Sequence, residues 1–249
     1  TTDGVFREGS VWAQAPASLR RDPPFKRMNR KGTDMKRLLA TAAAALAAGP
    51  ALAHHPLGGL PMETFAHGLL SGVGHPVLGF DHLFFVLAMG IAALFTTRRY
   101  MAPAAYIAAM LAGCALMYAG VALPAAETFI ALSLLVVGGV VLSGRALTLA
   151  PALALFAVFG AFHGSAFGGS IAGQEGGAGA AVLLGYLIGL GAVQYLIAIA
   201  AQWVAEKVLG ATEAAAVPAR LAGAMVAGVG VFLTLEAAEG PILSTLFGV

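Results

Sequence analysis

The chain has 249 residues, of which 59% are hydrophobic and only 10% are charged, with a mean hydropathy of +0.85. Soluble domains carry about 25% charged residues, so this composition excludes a soluble globular protein and predicts an integral membrane protein. The formal net charge of +2 is unevenly distributed, because residues 1–53 hold nine Lys and Arg against four Asp and Glu, whereas residues 54–249 hold five against eight. The basic excess therefore lies in the first segment and does not predict a nucleic-acid partner.

The first 53 residues predict two segments that lie outside the fold. Residues 1–34 show no apolar periodicity and are rich in Arg, Lys and Pro, so we expect an extension that is disordered or comes from a mis-set start. Residues 35–53 begin with Met-Lys-Arg, continue as a short apolar run and end in Ala-Leu-Ala, which is typical of a secretory signal peptide. We then expect a periplasmic N-terminal segment over residues 54–74 and a transmembrane permease domain over residues 75–249.

Six apolar runs of bilayer length follow in this domain. They cover residues 75–95, 102–123, 126–143, 147–168, 180–205 and 218–237. Each approaches the ~20 residues that a membrane helix needs, and none alternates as a barrel strand would. The predicted fold class is all-α, with six transmembrane helices after a cleaved signal peptide and both termini outside. Residues 62–74 predict either a short helix on the outer surface or an extension of the first span.

The cationic residues after residue 53 give the orientation. With the amino terminus outside, all five of them fall in loops on the cytoplasmic side: Arg98, Arg99, Arg145, Lys207 and Arg220. This distribution follows the positive-inside rule.

Glycines recur four residues apart in two of the spans. They are Gly160, Gly164 and Gly168 in the fourth span, and Gly185 and Gly189 in the fifth. Small residues at this spacing allow membrane helices to approach closely. Phe-Ala-His-Gly at residues 65–68 and Ala-Phe-His-Gly at residues 161–164 also hint at an inverted repeat of three helices per half.

The first span begins with His-Pro-Val-Leu-Gly-Phe-Asp-His at residues 75–82. Ionisable groups in a membrane segment cost free energy and are expected to face the protein interior and serve a function. His75, Asp81 and His82 are all good ligands for a divalent transition metal. On a straight helix the two imidazoles would lie about 10 Å apart along the axis. Either Pro76 and Gly79 break the helix and fold His75 back, or the two histidines form successive stations.

Further candidate ligands lie in the same half of the membrane. His163 lies in the fourth span at a depth similar to that of His82, Glu127 begins the third span, and Glu175 lies in the loop after the fourth. All six histidines lie in the outer half, which fits a metal ion captured from outside and passed inward.

These residues resemble the HupE/UreJ family of membrane permeases associated with nickel and cobalt enzymes. The resemblance rests on H-P-x-x-G-x-D-H in the first helix and F-H-G-x-A in the fourth. It implies a carrier of Ni²⁺ or Co²⁺ in the bacterial inner membrane, supplying hydrogenase, urease or cobalamin pathways. It assigns His75, Asp81, His82 and His163 to the metal path, with Glu127 as a further member. Many members continue the second motif with a second His and a Glu, where this chain has Phe167 and Ser170; Glu175 could supply the missing carboxylate.

The predicted function is therefore metal transport rather than enzymatic catalysis. The expected partners are the divalent ion, the lipid bilayer and hydrogenase or urease maturation proteins, with a homo-oligomer left open; no tightly bound cofactor is expected. One alternative is an intramembrane zinc-dependent hydrolase that activates water at the same histidines. Another is a non-transporting assembly factor or metal-sensing subunit.

Overall fold

The structure is a computed structural model that describes residues 62–173 and 179–247, with side-chain burial described up to residue 239. These ranges form seven helices: α1 (Phe65–Leu78), α2 (Phe80–Leu94), α3 (Met101–Tyr118), α4 (Ala126–Ser143), α5 (Leu149–Ala172), α6 (Ala180–Trp203) and α7 (Val217–Phe247). A π-helical turn at Val204–Val208 extends α6. The predicted extension and signal peptide lie outside the described residues.

Each of the helices α3 to α7 is long and apolar enough to cross a membrane. Helices α1 and α2 add a sixth span if they are taken together, with a bend of 78° between them. The protein is therefore an all-helical, multi-pass membrane protein, as the sequence predicts.

Of the two sequence-based alternatives for residues 62–74, the structure shows the extension of the first span, since α1 begins at Phe65 and runs through residue 75. The segment before residue 75 is already helical, because Thr64 caps α1 by accepting a hydrogen bond from the backbone amide of His67. Pro76 is accommodated inside α1, and the helix stops at Gly79, whose backbone is extended. The other predicted spans differ from the helices only at their ends, and α4 has the predicted bounds.

Helices α1 and α6 run side by side in the same direction, and so do α3 and α5. A methyl group on Gly68 would collide with the carbonyl oxygen of Val182, and one on Gly185 with that of Phe65. In the second pair, Gly164 lies equally close to the carbonyl oxygen of Met110. The predicted role of the spaced glycines in close helix packing is confirmed.

The two helix pairs have the same register. One constant shift along the chain carries Phe65, Gly68 and Gly72 of α1 to Ala161, Gly164 and Gly168 of α5. A second constant shift carries Met110, Gly113 and Cys114 of α3 to Val182, Gly185 and Tyr186 of α6. Under these shifts the contacts of Gly68, Gly72 and Gly185 become those of Gly164, Gly168 and Gly113. For example, Gly72 meets the carbonyl oxygen of Tyr186, and Gly168 meets that of Cys114.

The remaining pair, α4 and α7, is antiparallel. One constant shift exchanges the contacts that α4 makes with α7 for those that α7 makes with α4. The carbonyl oxygen of Gly223 lies against Gly138, and that of Gly138 lies against Gly223. In these contacts α1, α3 and α4 therefore correspond to α5, α6 and α7. Such a correspondence is typical of an inverted-topology repeat.

One end of the bundle carries all the Lys and Arg side chains of the described residues, and we call it the cationic end (Arg98, Arg99, Arg145, Lys207 and Arg220). Arg99 Nη1 donates to Glu206 Oε2 over 2.8 Å, which joins the α2–α3 loop to the end of α6. Arg220 Nε donates to the carbonyl oxygen of Leu142 over 2.9 Å, which joins the start of α7 to the end of α4. A small cleft at this end is lined by Phe95, Arg145 and Ala214, among other residues.

Candidate metal site

The break between α1 and α2 brings the two histidines of the first motif together. The bend at Gly79 places the ring centroids of His75 and His82 6.0 Å apart, with only 4% and 5% of the two residues exposed. Of the two sequence-based alternatives, the structure therefore shows the broken helix with His75 folded back.

Hydrogen bonds fix the protonation pattern of His82 and His163. Ser133 Oγ donates to the carbonyl oxygen of Ile130 over 2.6 Å, so it accepts from His163 Nε2 over 3.0 Å. A neutral His163 then has its lone pair on Nδ1 and accepts from His82 Nδ1 over 2.8 Å. The lone pair of His82 is consequently on Nε2, the nitrogen that lies 3.9 Å from Asp81 Oδ2.

His75 is oriented by Tyr186. The hydroxyl of Tyr186 donates to the carbonyl oxygen of Phe167 over 3.2 Å and accepts from His75 Nδ1 over 3.2 Å. This tautomer leaves the lone pair of His75 on Nε2 as well. In these tautomers protein oxygen or nitrogen holds the Nδ1–H groups of both buried imidazoles, and Nε2 is the atom through which such a neutral histidine binds a metal.

An apolar side chain completes this cluster. The ring of Phe167 is fully buried, and its centroid lies 4.1 Å from that of His82 and 5.1 Å from that of His75. Phe85 covers His163 at 4.4 Å. We call the set of His75, Asp81, His82, His163, Ser133, Tyr186 and Phe167 the imidazole cluster. All of these side chains except that of Asp81 are buried, and burial strengthens electrostatic attraction among them.

The cluster is not a finished coordination sphere. Within residues 62–173 and 179–239, no three His, Cys, Asp or Glu side chains are arranged to hold one metal ion. Both ring nitrogens of His163 lie in hydrogen bonds, so in this arrangement His163 orients His82. Asp81 begins α2, where a carboxylate is favoured by the helix dipole.

The remaining predicted ligands lie apart from this buried core or outside the described residues. Glu127 lies in the first turn of α4 with an exposed side chain. Glu175 belongs to residues 174–178, which the structure does not describe. The assignment of these residues to a metal path stays a prediction.

Sequence reasoning missed Ser133 and Tyr186, which hold His163 and His75 in place. It also missed Tyr106 and Gln194, whose side chains share a 2.7 Å hydrogen bond and are fully buried. A polar side chain in a membrane helix is itself a signal of function, and all four stand in otherwise apolar runs.

Comparisons with known proteins agree with this picture. The family model of the HupE / UreJ protein matches residues 42–233, from before α1 into α7. The chain belongs to the HupE/UreJ family. Protein HupE of Rhizobium leguminosarum bv. viciae is 31% identical over 193 residues, which cover 74% of this chain and 97% of that protein. No solved structure matches the chain. The family resemblance carried by the two histidine motifs is confirmed.

Proposed function

We propose that this HupE/UreJ protein carries Ni²⁺ or Co²⁺ across the bacterial inner membrane into the cytoplasm, and that the ion binds at the imidazole cluster. The observation that carries the proposal is the bend at Gly79, which places two buried imidazoles beside each other and beside Asp81. The ion is the cargo of the protein, so no resident metal or organic cofactor is part of the proposal.

The spacing of the imidazoles suits a shared ion. A metal–nitrogen bond of ~2.1 Å puts the ion about 3 Å from each ring centroid, so two imidazoles on one ion have centroids roughly 5–6 Å apart. The observed 6.0 Å lies at the upper end of this range, and small rotations of the rings would bring Nε2 of both onto one ion. Asp81 supplies a negative charge, and water completes the coordination.

The ends of the broken helix add to the attraction for a cation. The last turn of α1 ends beside the cluster, and the carbonyl end of a helix carries partial negative charge. Discontinuous helices that present their ends to an ion are a recurring feature of secondary transporters.

The inverted repeat supports transport of the ion rather than binding without transport. Repeats of inverted topology allow two related conformations, in which the site opens first to one side of the membrane and then to the other. An assembly factor or a hydrolase has no need of this symmetry. Hydrogenase or urease maturation proteins would receive the ion on the cytoplasmic side.

The test is accumulation of radiolabelled Ni²⁺ and Co²⁺ in bacteria that lack their own carriers. Wild type is compared with Asp81→Asn and His82→Ala at equal membrane abundance. We expect uptake of at least one ion by wild type and loss of most of it in both variants, because each removes a ligand or the charge beside it.

The outcomes separate the candidate functions. Absence of uptake by correctly inserted wild type would contradict carriage, and metal binding without flux would then favour the assembly factor. Chelator-sensitive hydrolysis of lipid by the purified protein would favour the zinc hydrolase. Uptake that is equal in wild type and His82→Ala would place the site elsewhere in the protein.

A further inference from the structure

Three polar side chains of α6 lead from the imidazole cluster, to which the first belongs, towards the cationic end. Tyr186, Gln194 and Gln202 follow one another at intervals of eight residues, about 12 Å along the axis. They are 1%, 0% and 2% exposed, so all three face the protein interior rather than lipid. A buried polar residue in a membrane helix is costly without a function, and three in sequence on one helix indicate a route.

The first interval is bridged by Tyr106. Its ring centroid lies 5.9 Å from that of His163, and its hydroxyl donates to Gln194 Oε1 over 2.7 Å. Gln194 Nε2 donates in turn to the carbonyl oxygen of Leu190 and to Met110 Sδ. The imidazole cluster is thereby connected by polar groups to the middle of the bundle.

The second interval, from Gln194 to Gln202, ends at the side-chain amide of Gln202, whose oxygen has no partner among the described residues. Gln202 Nε2 donates to the carbonyl oxygen of Arg99 over 3.0 Å, which fixes the orientation of the amide. Gln202 Oε1 is buried and accepts no hydrogen bond from any residue that the structure describes. An unsatisfied buried acceptor of this kind is destabilising, so its retention calls for an explanation.

Glu206 lies one helical turn beyond Gln202. Its carboxylate is held by Arg99 over 2.8 Å and by Lys207 over 3.0 Å. Because the backbone of Arg99 binds Gln202 and its side chain binds Glu206, the α2–α3 loop covers this end of α6. A divalent cation that reached Gln202 would compete with the guanidinium for Glu206.

We infer that Gln194, Gln202 and Glu206 form the inner route of the transported cation, and that the Arg99–Glu206 ion pair closes it at the cationic end. The inference rests on the proposed function and assigns the step after the imidazole cluster. Amide and carboxylate oxygens bind Ni²⁺ or Co²⁺ more weakly than imidazole does. A route lined by these oxygens would therefore let the ion leave the protein.

The test compares two replacements of Gln202 in the purified full-length chain, reconstituted in liposomes that enclose a Co²⁺-sensitive dye. Gln202→Met keeps the length of the side chain and removes the oxygen, whereas Gln202→Glu keeps an oxygen and removes the donor to Arg99. Leu196→Ala, on a lipid-facing position of the same helix, is the control for altered α6 packing. Co²⁺ binding to each detergent-solubilised variant is measured separately by visible absorption.

The inference predicts that Gln202→Met lowers the initial flux roughly tenfold while Co²⁺ binding stays within about twofold of wild type. Gln202→Glu keeps the flux within about threefold, because the oxygen is retained. If Gln202→Met has the flux of wild type, or if both replacements lower it equally, the inference is overturned and the residue is structural. A wild type that binds Co²⁺ but shows no flux would overturn the proposed function itself, and this inference with it.

Discussion

The helix pairs α1/α6 and α3/α5 have the same backbone contacts and very different chemistry. In both pairs a small residue of one helix lies against a carbonyl oxygen of its neighbour, with one register throughout. Yet the first helix of one pair ends at Gly79 and presents His75, whereas α5 continues without a break and presents His163. The repeat supplies a scaffold, and the differences between its halves supply the imidazole cluster.

The comparison is sharpest at two histidines that occupy equivalent positions. The shift that carries Gly68 to Gly164 also carries His67 to His163. His163 is fully buried and bonded to His82, whereas His67 is half-buried and its Nδ1 accepts from the backbone amide of Glu63 near the start of α1.

The largest effect is therefore expected from His163→Ala, with His67→Ala as its matched control. Loss of His163 removes the hydrogen bond that orients His82. We expect Ni²⁺ or Co²⁺ uptake to fall about a hundredfold, because a metal ligand without its orienting hydrogen bond binds the ion more weakly. His67→Ala should keep uptake within about twofold. Equal losses in the two variants, measured at equal membrane abundance, would show that the halves contribute alike and would contradict the account.

The shared scaffold predicts equal damage in the two pairs. Gly68→Val and Gly164→Val each place a side chain against a backbone carbonyl, and each should lower the free energy of unfolding by about 1–3 kcal/mol. Gly139→Val is the control, because a Cβ atom there has no neighbouring heavy atom of another helix within 4 Å. Thermal unfolding in detergent measures all three. A loss at only one of the two paired glycines would contradict the repeat.

Replacing Phe167 should strengthen metal binding. The ring of Phe167 touches both His75 and His82, so Phe167→His adds a third imidazole beside the first two. We expect Co²⁺ affinity to rise about tenfold and turnover to slow, because one more ligand holds the ion longer. The control is Phe167→Leu, which keeps an apolar side chain. Titration of the purified variants measures the change, and an affinity unaltered by Phe167→His would place the ion away from these rings.

The smallest effect is expected at Ser133. Ser133→Ala removes the oxygen that accepts from His163 Nε2, worth about 1 kcal/mol, and leaves the ring itself in place. Uptake should fall a few-fold, and Ser133→Thr, which restores a hydroxyl, should recover part of it. An uptake that is unchanged in Ser133→Ala would show that the tautomer of His163 does not depend on this contact.

Much of the fold could be predicted from local sequence. The bounds of α4 follow from a continuous apolar run that ends at Gly144, whose positive φ of 70° stops the helix. The sequence left α1 open between a surface helix and an extension of the first span, because its buried residues Gly68, Ser71, Gly72, His75 and Pro76 have little hydropathy. These residues are buried by close backbone packing against α6 rather than by apolar side chains.

The candidate metal site could be predicted from the sequence only in part, for a similar reason. His75, Asp81 and His82 lie within one short motif, so their shared role could be predicted from spacing and chemistry. Ser133 and Tyr186 act on histidines that are 30 and 111 residues away in sequence, and such pairings arise only from helix packing. The bend at Gly79 could be stated as one of two alternatives but not chosen, because Pro76 proved compatible with the helix.

The most direct test of the account is the coordination of Co²⁺ bound to the purified wild-type protein, measured by X-ray absorption and compared with His75→Ala. We expect about one ion per chain with two imidazole ligands, and the loss of one of them in His75→Ala, since the bend at Gly79 brings both rings to the ion. A wild-type spectrum without imidazole, or one left unchanged by His75→Ala, would contradict the claim that the broken helix builds the cation site.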